Sequence, residues 1–464
     1  MPAESFFADP SAGACPVHLV DRENLSAVLA ELPEAHRSWV RAQAWEPKPG
    51  DVLGLPGSKG NLSAVLAGIG GAEPFWNAAA IPGRLPPGTY ALAGEPEPGE
   101  ARRLAIAWGV GQYAFRRYRK DPAPPVRRLV WPEGVDADAV RSAVEADALV
   151  RDLVNTPAAD MGPEDLAKSA AALAASHGAD FREVVGEALL AENFPAIHAV
   201  GRASDRAPRL VELNWGESDR PRVTLVGKGV CFDSGGLNLK PAQGMRNMKK
   251  DMGGAAHVLG LARMVMDARL PLRLRVLIPA VENSVSGNAY RPGDVVATRA
   301  GLTVEIGNTD AEGRMVLADA LALADEDHPE VLLDFATLTG AARVALGPDL
   351  PALYSDSDDV SGELAAAGVD DGDPLWPMPL WAPYDDNLCS AVADMNNIAP
   401  DGFAGSIYGG LFLKRFVKHA EAWAHVDVFA WNPKNRSGRP EGGMAQGVRA
   451  VFAWLADRYP AEGD

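Results

Sequence analysis

Dense runs of apolar and β-branched residues occur at 222–230, 272–281, 331–335 and 425–429, and the stretches 255–267, 315–324 and 406–416 between them carry helical patterning. Strands alternating with helices in this rhythm build a sheet covered by helices on both faces. The larger, C-terminal part of the chain therefore reads as an α/β domain with a mixed, mostly parallel sheet flanked by helices.

Nearer the N-terminus the pattern is shorter and more punctuated. Proline and glycine crowd residues 81–100, as in Ile81-Pro82-Gly83-Arg84-Leu85-Pro86-Pro87-Gly88, and the short apolar segment Leu104-Ala105-Ile106-Ala107-Trp108 lies beside such turns. Short strands alternating with helices are expected there, giving a small N-terminal α/β domain over residues 1–135. A linker with a helix at about 137–153 follows over 136–160, and the C-terminal domain takes 161–464. A second helix is expected to open at Gly162-Pro163-Glu164, since proline suits the first helical turn and acids suit its positive end, and to stop at His177-Gly178.

Of the 464 residues 47% are hydrophobic and 23% charged, enough apolar material for more than one core. The formal net charge of −18 repels phosphate backbones, which disfavours nucleic acid as a partner. No apolar run approaches the roughly 18 residues that a membrane span needs, and Met1-Pro2-Ala3-Glu4-Ser5 lacks the basic and apolar regions of a secretory signal. A cytoplasmic location without membrane attachment is expected. Cys15, Cys231 and Cys389 form neither a CxxC knuckle nor a disulfide framework, so reduced thiols are expected.

Three polar clusters interrupt the apolar pattern. In the first, Val226-Gly227-Lys228-Gly229-Val230-Cys231-Phe232-Asp233-Ser234-Gly235-Gly236-Leu237-Asn238-Leu239-Lys240, a strand delivers Lys228, Asp233 and Lys240 among glycines that permit close backbone approach. Taken alone it also fits a surface strand ending in an ordinary turn. The second, Met248-Lys249-Lys250-Asp251-Met252-Gly253-Gly254, sets a carboxylate just before a small-residue helix, as a metal ligand or as an N-cap. In the third, Gly307-Asn308-Thr309-Asp310-Ala311-Glu312-Gly313-Arg314, extended backbone would aim Asp310, Glu312 and Arg314 at one point. Burying that set is costly unless a cation separates the carboxylates and an anion meets the arginine; a strand-to-helix turn with a first-turn acid is the plainer alternative.

GKGVCFDSGGLNLK, MKKDMGG and NTDAEGR together, in this order and spacing, resemble the signature segments of the leucyl aminopeptidase family. The resemblance continues in Leu153-Val154-Asn155-Thr156-Pro157, Ala336-Thr337-Leu338-Thr339-Gly340 and Gly438-Arg439-Pro440, covering roughly residues 150–455; the first 130 or so match only weakly. It implies a metal-dependent aminopeptidase with two divalent ions, zinc or manganese, per subunit. Asp233, Asp251, Glu312 and Lys228 would hold one ion and Asp233, Asp310 and Glu312 the other. Lys240 would donate to the scissile carbonyl oxygen, and Arg314 would hold bicarbonate as general base. Met248, Thr337 and Gly340 would line the first substrate pocket, with backbone groups of Leu338 and Gly340 on the peptide. A Leu- or Met-like preference, peptide substrates and a homohexamer are further implications.

Rival readings are a two-metal phosphatase or nuclease, against which Lys228 and the acidic chain argue, and a non-catalytic scaffold or binding protein retaining the fold. The eight histidines form no HExxH pair, no GxGxxG or Walker loop is complete, and no GxSxG occurs.

Overall fold

A computed structural model describes residues 3–10 and 13–461. Met1 and Pro2, and the last three residues of the expected C-terminal domain, lie outside the described part. The chain divides into two compact units, residues up to Ala148 with Asn432–Glu441, and Leu149–Trp431 with the remainder from Gly442. The division falls inside the helix Ala137–Asn155.

In the first unit six strands form one sheet in the order Phe7–Ala8, Arg127–Val130, Gly88–Leu92, Cys15–Val20, Leu62–Gly68, Val52–Pro56, parallel except for the last pair. Leu104 to Trp108 is not strand here but the middle of the helix Pro98–Val110. Ala105, Ile106, Ala107 and Trp108 are all buried, so this helix shows no polar face to set its period apart from that of a buried strand.

The second unit is built on a nine-stranded mixed sheet. Its central strands, Ala422–Asp427, Val331–Ala336, Arg222–Gly227 and Arg273–Asn283, run parallel to one another. Gly229–Asp233 also pairs parallel with the far half of Arg273–Asn283, past a register shift between Val230 and Phe232. Antiparallel strands flank them on both sides. Val331–Ala336 is buried at every position and Ala422–Asp427 likewise, the mark of strands covered on both faces. Helices Gly253–Asp267 and Glu312–Asp325 are buried along almost their whole length, and a single apolar core joins Val316, Leu317 and Leu321 to Val226, Leu277 and Leu332 of the sheet. The helix expected at Pro163 runs Pro163–His177 and ends on Gly178 in the left-handed conformation, φ +66°.

Candidate active site

Parallel strands direct their carboxyl ends to one edge, and loops there are free to carry chemistry. Lys228 follows Arg222–Gly227, Asp233 ends Gly229–Asp233, Thr337 follows Val331–Ala336, and Asp427 ends Ala422–Asp427. Asp251 sits in a 3-10 turn, Met248–Met252, ahead of the long helix Gly253–Asp267. Met252 rather than Asp251 is the residue preceding that helix, and no side chain caps it.

Asp310 and Glu312 arrive differently from the extended arrangement expected. Asp310 lies in a turn and Glu312 is the first residue of the helix Glu312–Asp325, so helical geometry, not strand alternation, places Glu312 and Arg314. Arg314 is buried and does not line the cavity that holds the carboxylates; Nη1 donates to the Asn397 carbonyl at 2.7 Å. Its Nε has no acceptor among the described residues.

Lys228, Asp233, Lys240, Asp251, Asp310 and Glu312 meet in one cavity of about 270 Å³. Lys228 Nζ lies 2.8 Å from Asp251 Oδ2 and 2.9 Å from Glu312 Oε1. Lys240 Nζ lies 2.7 Å from Asp233 Oδ2 and 2.5 Å from Asp310 Oδ1. Asp233, Asp310 and Glu312 offer oxygens that all fall within 4.8 Å of one another. The backbone is shaped to allow this: Gly235 and Gly236 turn away from Asp233 at φ +89° and +65°. The Gly235 amide then donates to Asp233 Oδ1 at 2.8 Å.

Further groups hold the carboxylates in place. Asn283 Nδ2 donates to Asp233 Oδ1 at 2.8 Å and to the Thr309 carbonyl at 3.0 Å, and Thr337 Oγ1 donates to Asp251 Oδ1 at 2.7 Å. Asp427 is occupied by the amides of Leu338 and Thr339 and by Thr339 Oγ1, at 2.8, 3.1 and 2.7 Å. Of the expected pocket residues, Met248, Thr337, Leu338 and Gly340 do line the cavity. Thr337 spends its hydroxyl on Asp251 and Leu338 its amide on Asp427, which leaves Leu338 its carbonyl for a ligand. Asn283, Asp427 and Phe429 were not singled out from sequence, since isolated polar or aromatic residues at or just past strand ends carry no spacing signal; Lys250 stood inside the second cluster with no role assigned to it.

Four carboxylates face two lysines here. Burial and the neighbouring Asp233 charge push Glu312 up to about 8, and burial together with Asp251 raises Asp233 to about 6. Burial opposes the charge on Lys228, yet Asp251, Glu312 and Asp233 outweigh it and hold the ammonium well above its usual range. Lys240 is raised in the same way, burial being outweighed by Asp233 and Asp310. Oδ2 of Asp251 and Oδ1 of Asp310 take no well-directed hydrogen bond among the described residues, so lysine charge is their compensation. A buried set with this excess of anionic oxygen fits divalent cations, which prefer hard oxygen donors and would replace the two ammoniums. The histidines stand apart from it. His257 Nδ1 lies 2.6 Å from the Gly253 carbonyl while Nε2 accepts the Gln446 amide at 3.0 Å, and His425 Nδ1 pairs with Asp334 at 2.5 Å inside the sheet.

Residues 148–452 match the model of the cytosol aminopeptidase family, catalytic domain, and residues 15–132 that of the M17 aminopeptidase N-terminal domain. The second match reaches where the signature segments do not. A probable cytosol aminopeptidase of a Synechococcus species is 38% identical over 90% of this chain and 90% of its own length. One from Syntrophotalea carbinolica is 41% identical over 75% of this chain and 73% of its own. The crystal structure of the cytosol aminopeptidase from Coxiella burnetii superimposes with a TM-score of 0.94 at 45% identity, covering 98% of this chain and 100% of that one. The bottromycin maturation enzyme BotP in complex with Mn gives a TM-score of 0.85 at 33% identity over 97% of this chain and 100% of BotP.

Fold, site and matches together define a peptidase, a hydrolase of peptide bonds. The chain belongs to the cytosol aminopeptidase family.

Proposed function

We propose that this chain removes N-terminal residues from peptides with the help of two divalent ions, zinc or manganese, held by the carboxylate cavity. The observation that carries this reading is the pairing of Lys228 with Asp251 and Glu312, and of Lys240 with Asp233 and Asp310, inside one cavity. Lys228, Asp233, Asp251 and Glu312 would hold one ion and Asp233, Asp310 and Glu312 the other. Bound there, the pair would activate water, polarise the scissile carbonyl and receive the free α-amine.

The chain's own groups divide the remaining work. Lys228 must give up its proton to ligate, which adjacent dications favour. Lys240, released from Asp233 and Asp310 once cations neutralise them, would donate to the carbonyl oxygen as negative charge develops, a contribution of roughly 3–4 kcal/mol. Arg314 would hold bicarbonate as general base; an Nε free of an acceptor among the described residues supports this, and its place outside the cavity lining counts against it. Met248, Leu338 and Leu350 on the cavity wall support acceptance of a leucine-like first side chain.

A homohexamer in the cytoplasm is the setting we propose. Trp376, Trp381, Val392 and Phe403 are large apolar side chains left exposed on the catalytic unit, which supports contact with further copies. No helix among the described residues is long and apolar enough to cross a membrane.

Elemental analysis of the purified protein tests the site. Two ions per chain are expected, with loss of bound metal in Lys228→Arg; a variant that keeps both ions would remove Lys228 from the ligand set. Hydrolysis of p-nitrophenyl phosphate at rates rivalling an amino acid p-nitroanilide would favour phosphoryl chemistry instead.

A further inference from the structure

Lys250 lines the same cavity as the carboxylates and is only 5% exposed. The 3-10 turn Met248–Met252 points it past Asp251 to the Phe429 ring, whose centroid lies 4.6 Å from Nζ. Among the described residues Nζ makes no hydrogen bond and no ion pair. The carboxylates nearest in the sequence and the cavity wall are already committed, Asp251 to Thr337 Oγ1 and Lys228, and Asp427 to Leu338 and Thr339.

An ammonium buried without an acceptor is costly, and an aromatic face offsets only part of that cost. An apolar residue would fill the same wall without the penalty. Asp251 and Asp427 attract the ammonium from nearby without bonding to it, and an acidic group entering the cavity would complete its compensation. Arg343, an exposed residue at the rim, also lines the cavity; its guanidinium carbon lies 5.1 Å from the centroid of the same Phe429 ring and makes no ion pair among the described residues. One cation withdrawn from solvent and one exposed cation thus lie against the same ring of the cavity lining.

We propose that Lys250, assisted by Arg343, forms a subsite for an acidic side chain, so that peptides with N-terminal glutamate or aspartate are accepted beside leucine-like ones. The inference rests on the aminopeptidase reading of this cavity. A carboxylate entering it meets the acceptor-free ammonium and the guanidinium fork, both charge-assisted donors. The aliphatic stem of Lys250 and the ring of Phe429 still offer apolar surface to a leucine side chain.

The test compares glutamyl and leucyl p-nitroanilides on the manganese-loaded full chain. The ratio of kcat/KM, glutamyl over leucyl, is expected to fall roughly 10- to 100-fold in Lys250→Met and to be largely retained in Lys250→Arg. A readout that needs no variant is competition: L-glutamate should inhibit leucyl hydrolysis by the native chain with a constant within about tenfold of that of L-leucine. Leucyl turnover with no glutamyl turnover, a ratio unmoved in Lys250→Met, or inhibition by L-glutamate about a hundredfold weaker than by L-leucine would each overturn the acidic subsite while leaving the aminopeptidase reading intact. Absence of turnover on every p-nitroanilide would overturn both.

Discussion

Lys228 Nζ lies 2.9 Å from Oε1 of Glu312, with both side chains almost wholly withdrawn from solvent. Asp251 completes the contact at 2.8 Å. This lysine is the counter-charge that makes two buried acids tolerable wherever no cation takes its place.

Replacing it exposes that dependence. Lys228→Met leaves Asp251 and Glu312 buried without their cation, and removing one member of a buried ion pair typically costs about 3–5 kcal/mol. Urea unfolding in chelator should show a loss of that order, with part of it regained on adding Mn²⁺. Unchanged stability in chelator would mean that the carboxylates are neutralised in another way.

Asn283 tests the outer support of the site. It ends the strand Arg273–Asn283 and donates 2.8 Å to Asp233 Oδ1, so Asn283→Ala frees a carboxylate that would help to hold both ions. Metal affinity, measured by competition with a chromogenic chelator, should weaken roughly 10- to 100-fold, since partners of ligands commonly contribute that much. Native affinity in the variant would argue against Asp233 as a shared ligand.

Gly313 shows how closely the third cluster approaches the first. A methyl group there would stand 2.6 Å from Lys228 Cε and 2.8 Å from Nζ. Gly313→Ala should displace the lysine from Asp251 and Glu312, lowering turnover by roughly tenfold or more while the circular dichroism spectrum stays native. Full activity would show that Lys228 can shift without consequence.

His257 predicts a pH dependence away from the carboxylates. Burial, only partly opposed by its bond to the Gly253 carbonyl, lowers it from 6.5 to about 4. Its protons are thus bound more readily by the unfolded chain, so this stabilising contribution is full above about pH 6.5 and is lost as pH falls toward 4. Urea midpoints measured from pH 7.5 down to about 4.5 should fall more steeply for the native chain than for His257→Phe. Parallel curves would show that His257 does not titrate between the two states.

The fold class was legible because the central strands are buried on both faces and read as unbroken apolar runs between helices. Residues 104–108 misled for the related reason that a fully buried helix and a buried strand look alike over five positions. Within the site, Lys228, Asp233, Asp251, Asp310 and Glu312 stood out because they cluster among glycines in three short segments. The route by which Glu312 and Arg314 reach their places was misjudged, since the helix begins at Glu312 itself. Asn283 and Asp427 carry no such spacing signal. Only the sheet order, which sets the carboxyl ends of four parallel strands side by side, makes their positions meaningful.

Hydrolysis of leucine p-nitroanilide by the purified chain, before and after chelation and again with Zn²⁺ or Mn²⁺ restored, shows whether the carboxylate cavity works as a metal-dependent peptidase site. Activity should disappear with chelator, return with metal and be absent in Glu312→Ala throughout. Activity indifferent to chelation, or unaffected by Glu312→Ala, would contradict it.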